Sequence, residues 1–375
     1  MKIIIDDKIP YIRGAFENVA EVLYLSGPAT TPDVAKNADA LITRTRTICN
    51  ESLLKDSSVK IIATATIGYD HIDTEFCNKA GIAWTNAPGC NSGSVEQYIA
   101  SVLVVLAEVK KLNLQDLTIG IVGVGNVGRK VEHFCRSIGM QVLLNDPPRE
   151  KTEGADSFVS LQTIQQKADI ITLHVPLESG GEYPTWHMVD ELFFQQLKKM
   201  PVLINSCRGE VVKTSALKSA MNEGFISDAV CDCWENEPDI DLELLRQCVI
   251  ATPHIAGYSR DGKANGTRMS VQAVSRILGL GLDNWQPNGI EEAEESSFML
   301  DGAGLSEAEV ISKAVLHTYD ARNDDQDLRA NPAVFEKLRG DYPVRREFYA
   351  YTIKPVNIAE KTRDVLRKLG FNVES

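Results

Sequence analysis

The chain has little with which to staple itself, cross a membrane or grip nucleic acid. Its eight cysteines form no CxxC pair, and Cys231 and Cys233 stand only two apart. That spacing is poor for a zinc site and invites no disulfide, so reduced structural thiols and no metal are expected. The opening apolar run is cut at once by Asp6, Asp7 and Lys8, which reads as a strand and not as a leader, and a cytoplasmic protein follows. The longest greasy stretch, residues 99–107, is flanked by Glu96, Glu108, Lys110 and Lys111. It falls far below the roughly 20 residues a membrane span needs, so no membrane partner is expected. No basic stripe with interleaved aromatics is present, and a net charge of -13 opposes a general nucleic-acid surface. A local basic pocket can still outvote that charge for a small anion.

What is present is a long chain of 375 residues with 43% hydrophobic and 24% charged residues. That length predicts two or three domains, and that composition a globular protein. Strands are predicted at 3–5, 22–25, 39–43 and 59–63, with apolar helical stretches between several of them. A long helix is predicted over 94–112. Strands then recur at 118–122, 141–145, 170–173, 202–205, 225–229 and 249–251. This is α/β alternation in doubly wound parallel sheets. A break at Gln286-Pro287-Asn288-Gly289 leads into an acidic stretch. Beyond it come two helices, over 307–319 and 358–369, and an alternating strand over 347–353. The tail reads as a small α+β domain, a packing or dimerisation module.

Gly123-Val124-Gly125-Asn126-Val127-Gly128 is a GxGxxG between the strand 118–122 and a helical run over 127–138. Gly123 suits a tight turn, Gly125 a close pyrophosphate approach and Gly128 helix-on-strand contact, while the helix N-terminus offers unpaired donors to phosphate. Asp146 ends the next strand, 23 residues after Gly123. A carboxylate there accepts both ribose hydroxyls and repels a 2'-phosphate, which favours NAD over NADP. Arg149 works slightly against that preference.

Three later strand ends carry polar groups expected near the nicotinamide end of the cofactor: His174-Val175-Pro176, Cys207-Arg208 and Asp232. His174 reads either as a structural histidine or as a cofactor contact. Arg208, Glu237 and His254 complete a chemical set. A guanidinium grips a carboxylate by two parallel bonds. An imidazole accepts a hydroxyl proton near neutral pH, and a carboxylate fixes its tautomer.

These runs, with Pro253-His254-Ile255-Ala256-Gly257, resemble the D-isomer-specific 2-hydroxyacid dehydrogenase family over residues 1–285. The resemblance implies catalytic Arg208, Glu237 and His254, and NAD binding by Asp146, Val175, Asp232 and Gly257. It implies a flavodoxin-like substrate domain (1–95 with 257–285) and a Rossmann nucleotide domain (96–256) with a cleft between them. The tail, 286–375, resembles the extra dimerisation domain of a subgroup acting on a phosphorylated small 2-hydroxy acid in pyridoxine biosynthesis. That implies a homodimer, with Thr45, Thr66 and Tyr258 contacting substrate. Arg44 and Arg46, with Arg13 as a further candidate, suit a phosphate. Equally, one arginine of the pair could close domains by a salt bridge and the other face solvent. The competing readings are a glycerate, phosphoglycerate or lactate dehydrogenase, and a non-enzymatic NAD-sensing scaffold.

Overall fold

A computed structural model describes residues 1–375 and divides them into two compact units. Unit 1 is Met1–Asn91 with Ser259–Glu291. Its strands are β1 (Lys2–Asp6), β2 (Glu21–Leu25), β3 (Ala40–Thr43), β4 (Ile61–Thr64) and β5 (Ala83–Thr85). They form one parallel sheet in the order β2-β1-β3-β4-β5, the flavodoxin-like order. The interior strands β3 and β4 read Ala-Leu-Ile-Thr and Ile-Ile-Ala-Thr, and every residue in them is buried. Such continuous apolar runs are what a sheet covered on both faces requires. β5 was not legible because it is three residues long and only half buried. The helix Arg260–Leu278 packs on β4, and a Cβ on its Gly266 would lie 2.5 Å from the Ala65 carbonyl oxygen.

Unit 2 is Ser92–Tyr258 with Glu292–Ser375. Six parallel strands, β6 (Thr118–Val122), β7 (Gln141–Asn145), β8 (Ile170–Leu173), β9 (Val202–Asn205), β10 (Asp228–Cys231) and β11 (Ile250–Ala251), lie in the order β11-β10-β9-β8-β6-β7. The order reverses between β6 and β8, which makes the carboxyl ends of those strands the topological switch point where ligands bind in such sheets. The strand predicted at 225–229 begins at Asp228 instead. Gly224 closes the preceding helix at φ 76°, and the Phe225 N–H bonds back to the Ala220 carbonyl, so the helix end consumes the apolar pair Phe225-Ile226.

The long helix spans Ser92–Lys110. It is long and apolar enough to pass a membrane-span test, with a mean hydropathy of 1.2, but 83% of that window is buried inside the protein. The helices Asn126–Ser137, Glu307–Thr318 and Ala321–Ala330 pack against it.

The tail belongs to unit 2 and shares its main hydrophobic cluster, through Leu300, Val310, Ile311, Phe348 and Leu366 among others. Its three-stranded parallel sheet has the order β12-β13-β14, with β12 at Ser297–Asp301, β13 at Thr352–Val356 and β14 at Asn372–Val373. The alternating stretch predicted as a strand over 347–353 is instead a 3-10 turn, Phe348–Ala350, leading into β13. Pro355 lies in the central strand because β14 ends before reaching it, so its missing N–H disrupts no ladder. All eight cysteines are buried and free.

Candidate active site

Each glycine of the GxGxxG run meets a separate steric demand. Gly123 has φ 87°, and a Cβ there would lie 2.6 Å from the His174 carbonyl oxygen. A Cβ on Gly128 would collide with the Gly123 carbonyl, whereas at Gly125 nothing lies within 4 Å. The open face at Gly125 is what a pyrophosphate approaching the helix Asn126–Ser137 requires. Asn126 is exposed and Val127 partly buried in that first turn.

Asp146 follows β7. One carboxylate oxygen accepts the Val124 N–H at 2.8 Å, and the other caps the next helix through the Arg149 N–H at 3.0 Å. Each oxygen keeps lone-pair capacity for a hydroxyl donor. The Arg149 guanidinium is fastened to Glu153 at 2.8 and 2.6 Å and donates to the Val124 carbonyl at 2.6 Å. That engagement holds it away from a 2'-phosphate. These residues fit a bound NAD.

At the end of β8, the His174 imidazole contacts the Thr172 hydroxyl at 3.0 Å, and burial pushes its pKa down to about 3. It is therefore neutral at physiological pH. Val175 is partly buried and Pro176 exposed. At the end of β9, the buried Cys207 bonds through N–H and thiol to Asn205 Oδ1, both at 3.2 Å. Arg208 is partly exposed, and one of its guanidinium nitrogens donates to the Cys207 carbonyl at 2.7 Å. Gly209 lets this loop lie directly on the Trp234 backbone, where any Cβ would collide.

Past β11, His254 adopts φ 54°, a left-handed conformation that costs a non-glycine residue about 1 kcal/mol or more. The surroundings impose it. The His254 N–H donates to the Asp232 carbonyl at 2.8 Å. The Asp232 carboxylate accepts from the Ile255 N–H at 2.8 Å, the Ala256 N–H at 3.0 Å and the Thr252 hydroxyl at 2.7 Å. Asp232 is 1% exposed, and its carboxylate is turned into this loop rather than outward.

The carbonyls of the same two residues, Ile255 and Ala256, are held by a tail residue that sequence reasoning missed. Arg345, buried in the core, donates to the Ala256 carbonyl at 2.6 Å, the Ile255 carbonyl at 3.3 Å, the Ser94 carbonyl at 2.5 Å and Gln97 Oε1 at 3.0 Å. The loop carrying His254 is thus clamped between a carboxylate on its N–H groups and a guanidinium on its carbonyls. Nothing in the local sequence around Arg345 signals this, because its partners lie some 90 and 250 residues away.

His254 Nδ1 and Glu237 Oε2 are 2.7 Å apart, and the other Glu237 oxygen accepts the Trp234 N–H at 2.9 Å. Burial opposes ionisation of Glu237. The hydrogen bond and charge of His254, the Trp234 N–H and the Arg339 cation prevail and hold its pKa below the ordinary value. An ionised Glu237 accepts from Nδ1–H, which leaves Nε2 as the basic nitrogen. Cys233 stands beside this pair: its Sγ lies within 4.8 Å of ligand atoms of Glu237 and His254. Burial, first, then the charges of Asp232 and Glu237, push its pKa well up, against the pull of Arg208. A protonated thiol is a poor metal ligand. Gly257 and Tyr258 follow. The Tyr258 ring meets Tyr342 edge-on at 5.8 Å, and the Arg339 guanidinium lies 5.7 Å from its centre.

In unit 1, Thr45 and Arg46 are exposed in the loop after β3, while Arg44 is partly buried and donates to the Lys8 carbonyl at 3.3 Å. Thr66 follows β4, with its hydroxyl 2.8 Å from Thr64 Oγ1 and 2.9 Å from the Gly68 carbonyl. The Arg13 guanidinium lies over the Tyr24 ring, 4.2 Å from its centre.

Comparison with known proteins places the chain in a family. Residues 102–256 match the D-isomer specific 2-hydroxyacid dehydrogenase NAD binding domain, and residues 298–370 match a domain of unknown function. The chain is 53% identical over 354 residues to erythronate-4-phosphate dehydrogenase of Bacteroides fragilis, covering 94% of this chain and 99% of that one. It is 41% identical to the protein of that name from Porphyromonas gingivalis, covering 99% and 100%. Among solved structures, D-lactate dehydrogenase from Aquifex aeolicus complexed with NAD and lactic acid superposes with a TM-score of 0.60 at 25% identity, covering 76% of this chain and 97% of that one. Cofactor (NAD+) bound 3-phosphoglycerate dehydrogenase of Entamoeba histolytica gives a TM-score of 0.62 at 25% identity, covering 78% and 99%. The chain belongs to the erythronate-4-phosphate dehydrogenase family, within the D-isomer specific 2-hydroxyacid dehydrogenases.

Proposed function

We propose that this chain oxidises 4-phospho-D-erythronate with NAD to 2-oxo-3-hydroxy-4-phosphobutanoate, in pyridoxine and pyridoxal phosphate biosynthesis. When bound, NAD accepts the hydride from C2. The observation that carries the chemical part of this reading is the 2.7 Å bond between His254 Nδ1 and Glu237 Oε2. With Nδ1 committed to the carboxylate, Nε2 of His254 takes the C2 hydroxyl proton as the hydride leaves. Glu237 fixes the ring and stabilises the imidazolium that forms. Arg208 holds the substrate carboxylate and the reacting oxygen.

Gly123, Gly125, Asn126, Val127 and Gly128 cradle the pyrophosphate, and Asp146 takes the adenosine ribose hydroxyls. His174, Val175, Pro176, Cys207 and Gly257 line the nicotinamide end, and His174 presents a neutral ring there. Asp232 belongs to the same nicotinamide end, and its carboxylate also ties down the His254 loop. Thr45, Thr66 and Tyr258 contact substrate, together with Arg44 and Arg46. The tail, 286–375, serves as a homodimerisation module, and the protein works in the cytoplasm.

A panel of 2-hydroxy acids offered with NAD tests this reading. NADH formation should be most efficient with 4-phospho-D-erythronate. A preference for D-glycerate, D-3-phosphoglycerate or D-lactate would replace the substrate. Tight NAD binding without turnover of any acid would favour a sensing scaffold over an enzyme.

A further inference from the structure

Unit 2 carries a second histidine–glutamate pair beside the one that involves His254. His187 Nε2 lies 2.7 Å from Glu235 Oε1, and Glu235 stands two residues before Glu237 in the same loop. Asn236 turns the chain between them at φ 63°, and the two carboxylates go to different histidines. The other oxygen of Glu235 accepts the Thr214 N–H at 2.6 Å. Burial opposes ionisation of Glu235. The Thr214 N–H and hydroxyl and the His187 ring prevail and hold its pKa below the ordinary value. An ionised Glu235 accepts from Nε2–H of His187. The Trp186 ring flanks that imidazole, with 5.0 Å between the ring centres.

The backbone of His187 reaches a different loop. Its N–H donates to the Glu210 carbonyl at 2.8 Å, two residues past Arg208. Val189 then bridges Val212 in parallel: its N–H donates to the Val211 carbonyl at 3.1 Å, and its carbonyl accepts the Lys213 N–H at 3.0 Å. On the other side of His187, the Thr185 hydroxyl donates to the Pro176 carbonyl at 2.6 Å and accepts the Glu178 N–H at 2.8 Å. Residues 185–189 therefore touch the segments that follow β8, β9 and β10, which carry His174, Arg208 and Glu237. His187 itself is left-handed, at φ 50°. A non-glycine residue keeps that backbone only where its surroundings over-determine it. Here the side chain and the N–H are committed to two separate loops.

We infer that His187 and Glu235 are positioning residues, which brace the loop of Glu237 against the loop of Arg208 and so hold Glu237 on His254. The reaction they serve rests on the function proposed above; the brace itself does not. Only Asn236 separates Glu235 from Glu237, and the Trp234 N–H on the other side of Glu235 donates to the Glu237 carboxylate. A displaced Glu235 therefore displaces Glu237, and with it the ring that Glu237 orients. Misplacing a reacting group by about 1 Å costs up to ~100-fold in rate.

Two measurements on the full-length protein test this. In the first, steady-state rates are compared for variants of the pair. Asn tolerates a left-handed backbone, so His187→Asn keeps the bond to Glu210, while its short amide stops before Glu235. His187→Asn should lower kcat for 4-phospho-D-erythronate about tenfold and leave KM for NAD unchanged. His187→Gln, whose amide nitrogen reaches as far as Nε2, should restore much of the loss. Glu235→Ala should lower kcat as well, and the double variant should fall little further than the worse single one, because both remove one contact. In the second, a crystal structure of His187→Asn should show Glu237 Oε2 beyond about 3.5 Å from His254 Nδ1, outside hydrogen-bond distance. A folded His187→Asn or Glu235→Ala with wild-type kcat overturns the inference, as does an unmoved Glu237. If the wild-type protein does not turn over 4-phospho-D-erythronate, the functional reading fails, while the position of Glu237 in the variant still decides the brace.

Discussion

His254 carries two constraints at once: a left-handed backbone and a ring nitrogen committed to Glu237. Neither follows from residue type, yet both suit the base proposed above, whose other nitrogen would face substrate. The pairing of His254 with Glu237 was legible because a carboxylate is the side chain that fixes an imidazole's tautomer. Its support was less so: the Asp232 carboxylate ties down the loop that carries His254. Glu96 offers a separate test of the electrostatics within the core. Burial, opposed by Lys130 and reinforced by Glu347, raises its pKa from 4.5 to about 7. A carboxyl whose folded pKa is raised adds stability that is fully present below the unfolded value and lost as pH rises through the folded one. The window is therefore 4.5 to about 7. Glu96→Gln, which cannot ionise, should raise the thermal midpoint near pH 8 and change it little near pH 4.5. Melts at the two pH values check this; an equal shift at both would reject the assignment.

At the scale of elements, the strands and helices that surround the site follow from apolar runs and glycine punctuation, and β6 with its glycine loop sits where the sequence predicts. Misplacements occurred where a neighbouring element claimed residues that read as strand, as Gly224 and its helix did for Phe225 and Ile226. The tail elements were the least legible, because what fixes them is long-range. The helix Ala321–Ala330 covers the free edge of β11: Asp325 accepts the Ala251 N–H at 2.7 Å, and Arg329 donates to the Leu245 and Cys248 carbonyls, both at 2.7 Å. Arg345 then clamps the segment that follows β11. Arg345→Met removes the guanidinium that bridges the carbonyls of Ser94, Ile255 and Ala256 and should cost roughly 3–5 kcal/mol, the range for breaking a buried charged network. It should also lower kcat at temperatures where the variant remains folded, with partial recovery in Arg345→Lys. Denaturant titration and steady-state rates check both effects. A folded variant with wild-type kcat would assign Arg345 to stability alone.

Across the whole molecule, the net charge of -13 hides local cations, and two of them follow the carboxyl ends of parallel strands: Arg208 after β9, and Arg44 after β3. The two sheet orders follow from short connections and buried strands, so the doubly wound class was readable from alternation alone. Which residues beyond the motifs support the chemistry was not, since Arg345 and Asp325 reach their partners across many tens of residues. The account rests on His254 as the proton acceptor of an NAD-linked oxidation. The most direct test is single-turnover NADH formation from 4-phospho-D-erythronate at neutral pH, comparing wild type with a folded His254→Ala that still binds NAD. A rate at least ~100-fold lower in the variant is predicted, the scale of a positioned acid–base group. A rate near that of wild type would contradict the mechanism.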